Sequence, residues 1–452
     1  MKNATQIVRT LVGVALGALA TTAHAQDLGV KAPPQKEPII VYGATVHTVS
    51  NGIIENGYVR FENGRITGVG SVVDIPEPQN APGSPRVIRG QNLHVYPGLI
   101  SSVTQLGLTE HGQVAATVDS RETGNIKPEV RAIAAVNPDS TLLPVTRSNG
   151  ILTVGVFPVG GTVAGRMGVM SLDGWTWEDM ALDQTAGLVI NWPNMLSVRA
   201  PWMNQSEGDQ ANQRQQRINT IDAMFDQAIA YRAARKADPT QREDIGLEAM
   251  QAFIPGENGE APAKPVFLFA QELEQITTAV SWAIEKGVRP VIVGGRDAPL
   301  CAELLKANNV GVIIEGTLKN PRRDDSPYDE PYKLPLALQD AGIHWALASG
   351  EEPAHDRNLP YHAGKAIAFG LNEDDAIRAM TLSAAQLLGV DARIGSIEAG
   401  KDATLIVTDG TPVEIATRTL HAFIGGREID LRNKQTELAD KYREKYRQLN
   451  GR

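Results

Sequence analysis

The 452-residue chain predicts an α/β protein: a (β/α)8 TIM-type barrel with a composite antiparallel β-sandwich domain contributed by both chain ends. Three observations carry that prediction. Short apolar runs alternate with helical patterns through the middle of the chain, as βα units around a doubly covered parallel sheet require. Ahead of them lie short β-type runs broken by Asn-Gly turns, and strand-like sequence of the same texture returns near the C-terminus. At this length a closed barrel is expected in preference to an open sheet.

Residues 1–25 read as a secretory signal peptide. Lys2 and Arg9 precede an apolar run over 11–20, and Ala23-His24-Ala25 supplies the small residues of a cleavage site before Gln26. A retained anchor is the weaker reading, because the run is about half the roughly 20 residues that cross a bilayer. The expected location is periplasmic or secreted, with a bacterial-type signal and no membrane span after cleavage. Residues 26–38, rich in Pro, Lys and Gln, form an extended lead-in.

Residues 39–96 make the first part of the sandwich, with β-type runs at 39–49, 57–61, 65–69 and 86–88. Asn51-Gly52, Asn56-Gly57 and Asn63-Gly64 punctuate them, since both residue types tolerate the positive φ of tight hairpins. The barrel spans 97–394, with strands at 141–144, 151–157, 265–269, 290–293, 310–314 and 343–348 and helices at 271–286, 298–307 and 359–369. A helical insertion occupies about 203–262. Its apolar stripe of Ile218, Ile221, Phe225, Ala228 and Ile229 predicts an inserted packing helix, with a lid over the barrel mouth as the alternative. Residues 395–430 complete the sandwich. In the terminal helix, 431–452, Leu431, Leu438, Tyr442 and Leu449 share one face and Glu437 stands four residues before Lys441. Packing on its own domain is expected there, and a dimer contact is the alternative.

Composition narrows the function. With 42% hydrophobic and 21% charged residues the chain belongs among globular proteins, and a formal net charge of −9 without a basic cluster argues against nucleic acid. Cys301 is the single cysteine, which excludes an intrachain disulfide and an all-cysteine metal site; it reads as a small buried hydrophobe on a helix. The glycine-rich stretch Gly155 to Arg166 lacks both G-x-G-x-x-G and a Gly-Lys-Ser/Thr ending, so it is no phosphate loop. It reads as a loop near the mouth of a site, where Arg166 either contacts an anion or makes a structural salt bridge. Trp175, Trp177, Trp192 and Trp202 are expected in core or interface packing.

Three segments together resemble the amidohydrolase superfamily, in particular its imidazolonepropionase-like members: IIVYGATVHTV at 39–49, VYPGLI at 95–100, and the stretch from AIRAMT at 376–381 through GSIEAGKDA at 395–403. The resemblance implies a metal-centred barrel beside a composite sandwich, in which a divalent metal activates water. It also implies where ligands would stand: an H-x-H after Pro-Gly-Leu-Ile, a histidine ending the strand before Ala270, and an aspartate after the strand ending at Ser349. Ser101 and Val103, Phe269, and Gly350 occupy those places, followed by Gln105 in the first loop. None is a useful zinc ligand, and no histidine lies between His111 and His344. The family metal positions are therefore read as degenerate, with no metal and no cofactor expected.

The remaining polar groups near predicted strand ends are Glu110, His111, Glu272, Glu315, Glu351, Glu352, His355, Asp356 and His362. Glu315, Glu352 and His355 are the catalytic candidates, as a metal-free base or part of a rebuilt site. His111, Arg166 and Glu272 are candidates for mouth or anion contact. The bland reading of these groups is solvated loop charge, with Glu315 paired to Arg322 or Arg323; His344 is expected to pack rather than ligate. Two functions follow. The first is an exported, non-catalytic binding or assembly subunit, a pseudoenzyme forming a homo- or hetero-oligomer with a related amidohydrolase and taking a small polar ligand. The second is a hydrolase of C–N bonds in cyclic amides or small peptides, with an atypical site holding zinc or another divalent metal.

Overall fold

The computed structural model describes residues 27, 29–79, 84–197, 204–350 and 352–450. The expected signal peptide, Trp202 and Glu351 lie outside the described residues. Strands in chain order are β1 (Ile39–His47), β2 (Ile53–Glu62), β3 (Arg65–Ser71), β4 (Arg86–Arg89), β5 (His94–Pro97), β6 (Leu99–Thr104), β7 (Ile151–Val156), β8 (Val163–Ser171), β9 (Ala181–Asn191), β10 (Val266–Ala270), β11 (Pro290–Gly294), β12 (Gly311–Glu315), β13 (Trp345–Ala348), β14 (Leu405–Thr408), β15 (Thr419–Ile424) and β16 (Arg427–Glu428).

The small domain is composite, because β14 from the C-terminal part pairs antiparallel with β5 from the N-terminal part, Leu405 opposite Pro97. The strand order is β16-β15-β14-β5-β1-β2-β3, with β4 on β1. It is antiparallel except that β1 runs parallel to β4 and β5. Val41, Val59, Phe61, Leu405 and Phe423 share its core.

The barrel sheet follows the order β6 to β13, and the Ser102 hydroxyl donates to the Leu347 carbonyl at 3.3 Å across the seam between β6 and β13. Seven strands run one way and β8 runs against both neighbours. The reversal comes from the glycine-rich stretch, which forms a β7–β8 hairpin instead of a helical crossover. Gly160 and Gly161 have φ of 81° and 76°, and a Cβ at Gly161 would meet the Asn125 carbonyl at 2.7 Å.

Strand alternation divides the barrel into two apolar layers. On β10, Val266, Leu268 and Ala270 pack outward with the helices. Phe267 and Phe269 pack inward with Ile100, Val103, Met167, Val189, Val293, Ile313 and Ala348. The interior is thus filled by side chains.

Several expected elements change. The predicted strand at 141–144 is a helix, Leu142–Arg147: Pro144 sits in the first turn, where its missing N–H is not needed, and the Ser140 hydroxyl accepts from the Leu142 N–H at 3.3 Å. The insertion carries the helix Glu207–Ala237, started by a Ser206/Asp209 capping box. It packs outside the barrel, with the Phe225 ring 5.0 Å from Trp282 edge-on and Lys286 bridging Asp222 and Asp226. Ile229, expected in its apolar stripe, is exposed, and Met224 and Tyr231 are buried instead. Trp192 is buried, its indole N–H donating to Thr278 at 3.0 Å, whereas Trp175 is exposed. Cys301 is half-buried, and burial raises its pKa.

The C-terminal helix, Lys434–Asn450, has no buried residue. Only Leu431, just before it, packs against the main core, while Leu438, Tyr442, Tyr446 and Leu449 are exposed. Packing on its own domain is therefore not what this helix does. Among the described residues no helix is long and apolar enough to cross a membrane.

Candidate functional site

Barrel sites form where strands end at the C-terminal face. Here the strand ends open on two cavities that share Glu315. One, about 370 Å³, lies between the ends of β6, β7, β12 and β13 and is lined by Val103, Thr104, Gln105, Thr109, Glu110, Gly112, Val118, Phe157, Glu315, Gly350 and residues 352–354. The other, about 340 Å³, lies over β10–β12 and includes Gln271, Gly294, Arg296, Glu315, Lys319, Arg322 and Glu330.

Glu315 ends β12 on the inward-facing parity of Ile313. Its Oε2 accepts from the Gln271 side-chain amide at 2.7 Å, so the partner is neither Arg322 nor Arg323. Gly294 makes that bond sterically feasible, because a Cβ there would stand 2.3 Å from the Gln271 amide nitrogen. Arg323 is instead held by Asp297 at 2.5 and 3.0 Å. Burial opposes charge on Asp297, but Arg323, the Leu273 N–H and Arg296 outweigh it and keep the carboxyl below its ordinary range.

The four family metal positions each hold something else. Ser101 donates to Asp356 Oδ1 at 2.9 Å, and Ser349 donates to the same oxygen at 2.5 Å. Through these two bonds the buried Asp356 fastens β6 to the end of β13. Val103 packs into the interior core. Phe269 lies against Phe157, ring centroids 5.1 Å apart. Gly350 has φ 62°, and a Cβ there would lie 2.4 Å from the Glu315 carbonyl oxygen. An aspartate cannot occupy that backbone without displacing β12.

A divalent metal bound in the family manner therefore does not fit these residues: two positions are apolar, one serine is committed to Asp356 and one position excludes any side chain. Among the described residues no group of three or more His, Cys, Asp or Glu side chains is placed to hold a metal ion.

The other candidates are dispersed. Glu352 is exposed and lines the first cavity. His355 is exposed on the following 3-10 turn, and His111 is exposed between the liners Glu110 and Gly112; neither lines either cavity. Glu272 Oε1 is paired with Arg296 at 2.9 Å, and its Oε2 is buried without a hydrogen-bond partner. Arg166 donates to the Glu129 carbonyl at 2.6 Å rather than to a carboxylate, and burial, then Arg131, lowers its pKa. His362, from the helix Leu359–Ile367, accepts at Nδ1 from the Thr317 and Leu318 N–H groups at 2.9 and 3.1 Å. Burial, reinforced by Lys319, lowers its pKa to about 4, so a neutral imidazole anchors the loop beside the second cavity. His344 stands one residue before β13, its pKa also lowered by burial.

Gln271, Thr109 and Phe157 were not singled out in the sequence. Each lies within a few residues of a strand end, so the strand-end rule that selects Glu315 would have reached them had it not been confined to ionisable groups.

A family profile described as the amidohydrolase family matches residues 269–431. The imidazolonepropionase of Maricaulis maris is 31% identical over 193 residues, 40% of this chain and 46% of that protein, so the alignment spans under half of its length. That of Brucella anthropi is 24% identical over 418 residues, 85% of this chain and 96% of it. In fold, the crystal structure of an amidohydrolase from Thermotoga maritima superposes with a TM-score of 0.73 at 22% identity, covering 87% of this chain and 100% of the other. Over residues 269–431 the chain matches the amidohydrolase family, and along most of its length it is similar to imidazolonepropionases.

Proposed function

We propose that this chain is a non-catalytic member of its superfamily, an exported binding and assembly subunit that takes a small polar ligand at the barrel mouth. The observation that carries this reading is the backbone and packing at the metal positions: Gly350 has no room for a side chain beside Glu315, and the Phe269 ring packs tilted against that of Phe157. Binding is supported by the two polar-lined cavities at the strand ends. Export rests on the leader pattern of residues 1–25.

Assembly is supported by the exposed stripe of Leu438, Tyr442, Tyr446 and Leu449. The occupant is a second copy, paired antiparallel. That arrangement covers the stripe of each copy with the stripe of the other. Light scattering of the full chain should give a dimer, and Leu438→Glu with Tyr442→Glu a monomer; an unchanged mass for that variant overturns the assembly half.

One observation favours hydrolysis of C–N bonds in cyclic amides or small peptides as a second reading: Glu315 faces both cavities, within reach of a water held in either. A panel of cyclic amides and dipeptides, assayed with and without added zinc, tests the choice. No turnover above the blank is expected; turnover abolished by Glu315→Gln would establish the second reading.

A further inference from the structure

We infer that the cavity between β6 and β13 binds a small organic cation carrying N–H groups, an alkylammonium or guanidinium compound. The inference rests on the reading of the barrel mouth as a ligand-binding site and names the class of ligand.

Charge is the first reason. Glu110, Glu315 and Glu352 face one chamber, and none of its described lining residues is basic. Three like charges around one chamber repel, and a cation among them offsets that repulsion. Across Glu315, the neighbouring cavity is mixed in charge, with Arg296, Lys319 and Arg322 in its wall beside Glu330.

Unmet hydrogen bonding is the second. Glu110 Oε1 and Thr109 Oγ1 are buried without a hydrogen-bond partner, both residues line the chamber, and Thr109 is only 9% exposed. An ionised carboxylate can only accept, so Glu110 calls for a donor from the ligand. That requirement favours an N–H-bearing cation over a quaternary one. Phe157 adds an aromatic wall, steadied from behind by Phe269, and aromatic faces attract cations.

A metal ion is the wrong cation for this geometry. The carboxylates stand around the chamber rather than converging, and no described group of three or more is placed to hold a metal ion. A volume of about 370 Å³ suits a molecule of several heavy atoms.

Calorimetric titration of the full chain with n-butylammonium and with agmatine tests this, with n-butanol, butyrate and tetramethylammonium as controls. The two amines should bind at millimolar concentration or better, and each control about tenfold or more weakly. Glu110→Gln should weaken amine binding about tenfold, while Arg322→Ala in the other cavity leaves it unchanged. If Glu110→Gln fails to fold, the exposed Glu352→Gln takes its place with the same expected direction. Equal binding of butanol, no binding of either amine, or an amine affinity unchanged by both glutamate substitutions would overturn the inference. Binding of butyrate alone would refute the cation assignment and leave a ligand-binding mouth intact. Hydrolytic turnover would refute the non-catalytic reading and leave the cation site untouched.

Discussion

Gly350 offers the sharpest test of why the metal ligands are missing. Replacing glycine by alanine on compatible backbone stabilises a protein by about 0.4–1 kcal/mol through the unfolded chain. At Gly350 the sign should reverse. A φ of 62° costs a side-chain-bearing residue about 1–2 kcal/mol. The added Cβ also lies 2.4 Å from the Glu315 carbonyl oxygen, 2.5 Å from its carbon and 2.6 Å from its Cβ. No rotamer relieves an overlap at Cβ, so β12 must shift, at about 1–3 kcal/mol. Gly350→Ala should therefore lose about 2–5 kcal/mol, and Gly350→Asp at least as much, because its carboxylate would sit beside that of Glu315. Gly112 is the control: its added Cβ meets nothing within 4 Å, so Gly112→Ala should be neutral or mildly stabilising. Equilibrium denaturation followed by tryptophan fluorescence reads all three variants. A Gly350→Ala midpoint equal to wild type would show that a side chain is tolerated there, and the steric account of the missing aspartate would fail.

Three further outcomes are expected. Asp356→Ala leaves the Ser101 and Ser349 hydroxyls without their buried acceptor and should cost about 2–4 kcal/mol; a loss under about 0.5 kcal/mol would refute the barrel-seam role. Phe269→His, which restores the family residue type, should lower stability through lost packing on Phe157 without creating zinc affinity by calorimetry; tight stoichiometric zinc binding would contradict the packing argument. The third concerns pH. His362 titrates near 4 in the native protein against 6.5 for its ordinary value, so between those limits the native state binds fewer protons than the unfolded chain. Its contribution is complete above pH 6.5 and declines as pH falls toward 4, by about 3 kcal/mol. His47, lowered to about 4 by burial and then by His94, acts in the same direction but is half-buried and adds less. In His362→Gln the decline between pH 6.5 and 4 should be shallower; an unchanged slope would refute the assignment.

The barrel and the composite sheet were legible because their determinants are local. Val266-Phe267-Leu268-Phe269 already alternates between the two layers it fills, and Asn51-Gly52 and Asn63-Gly64 do bring β1–β2 and β2–β3 back antiparallel. The reversed β8 was not legible, since a glycine-rich loop serves a hairpin as well as a βα crossover and only the pairing partners decide. Leu142–Arg147 was misread because a four-residue apolar run contains no period. At the site, the substitutions Ser101, Val103, Phe269 and Gly350 were readable from the resemblance. What occupies those positions was not: the Asp356 bonds span 255 residues for Ser101, and the Glu315–Gln271 bond spans 44. The terminal helix illustrates a different limit, for an apolar stripe tells which face seeks a partner but not whether that partner lies in the same chain.

Metal content bears most directly on the central claim. The purified full chain, incubated with zinc and then dialysed, should carry well under one metal ion per chain by mass spectrometry. Its denaturation midpoint should not move on chelation. Near-stoichiometric zinc, released by a chelator together with a fall in stability and a loss of hydrolytic turnover, would contradict the account.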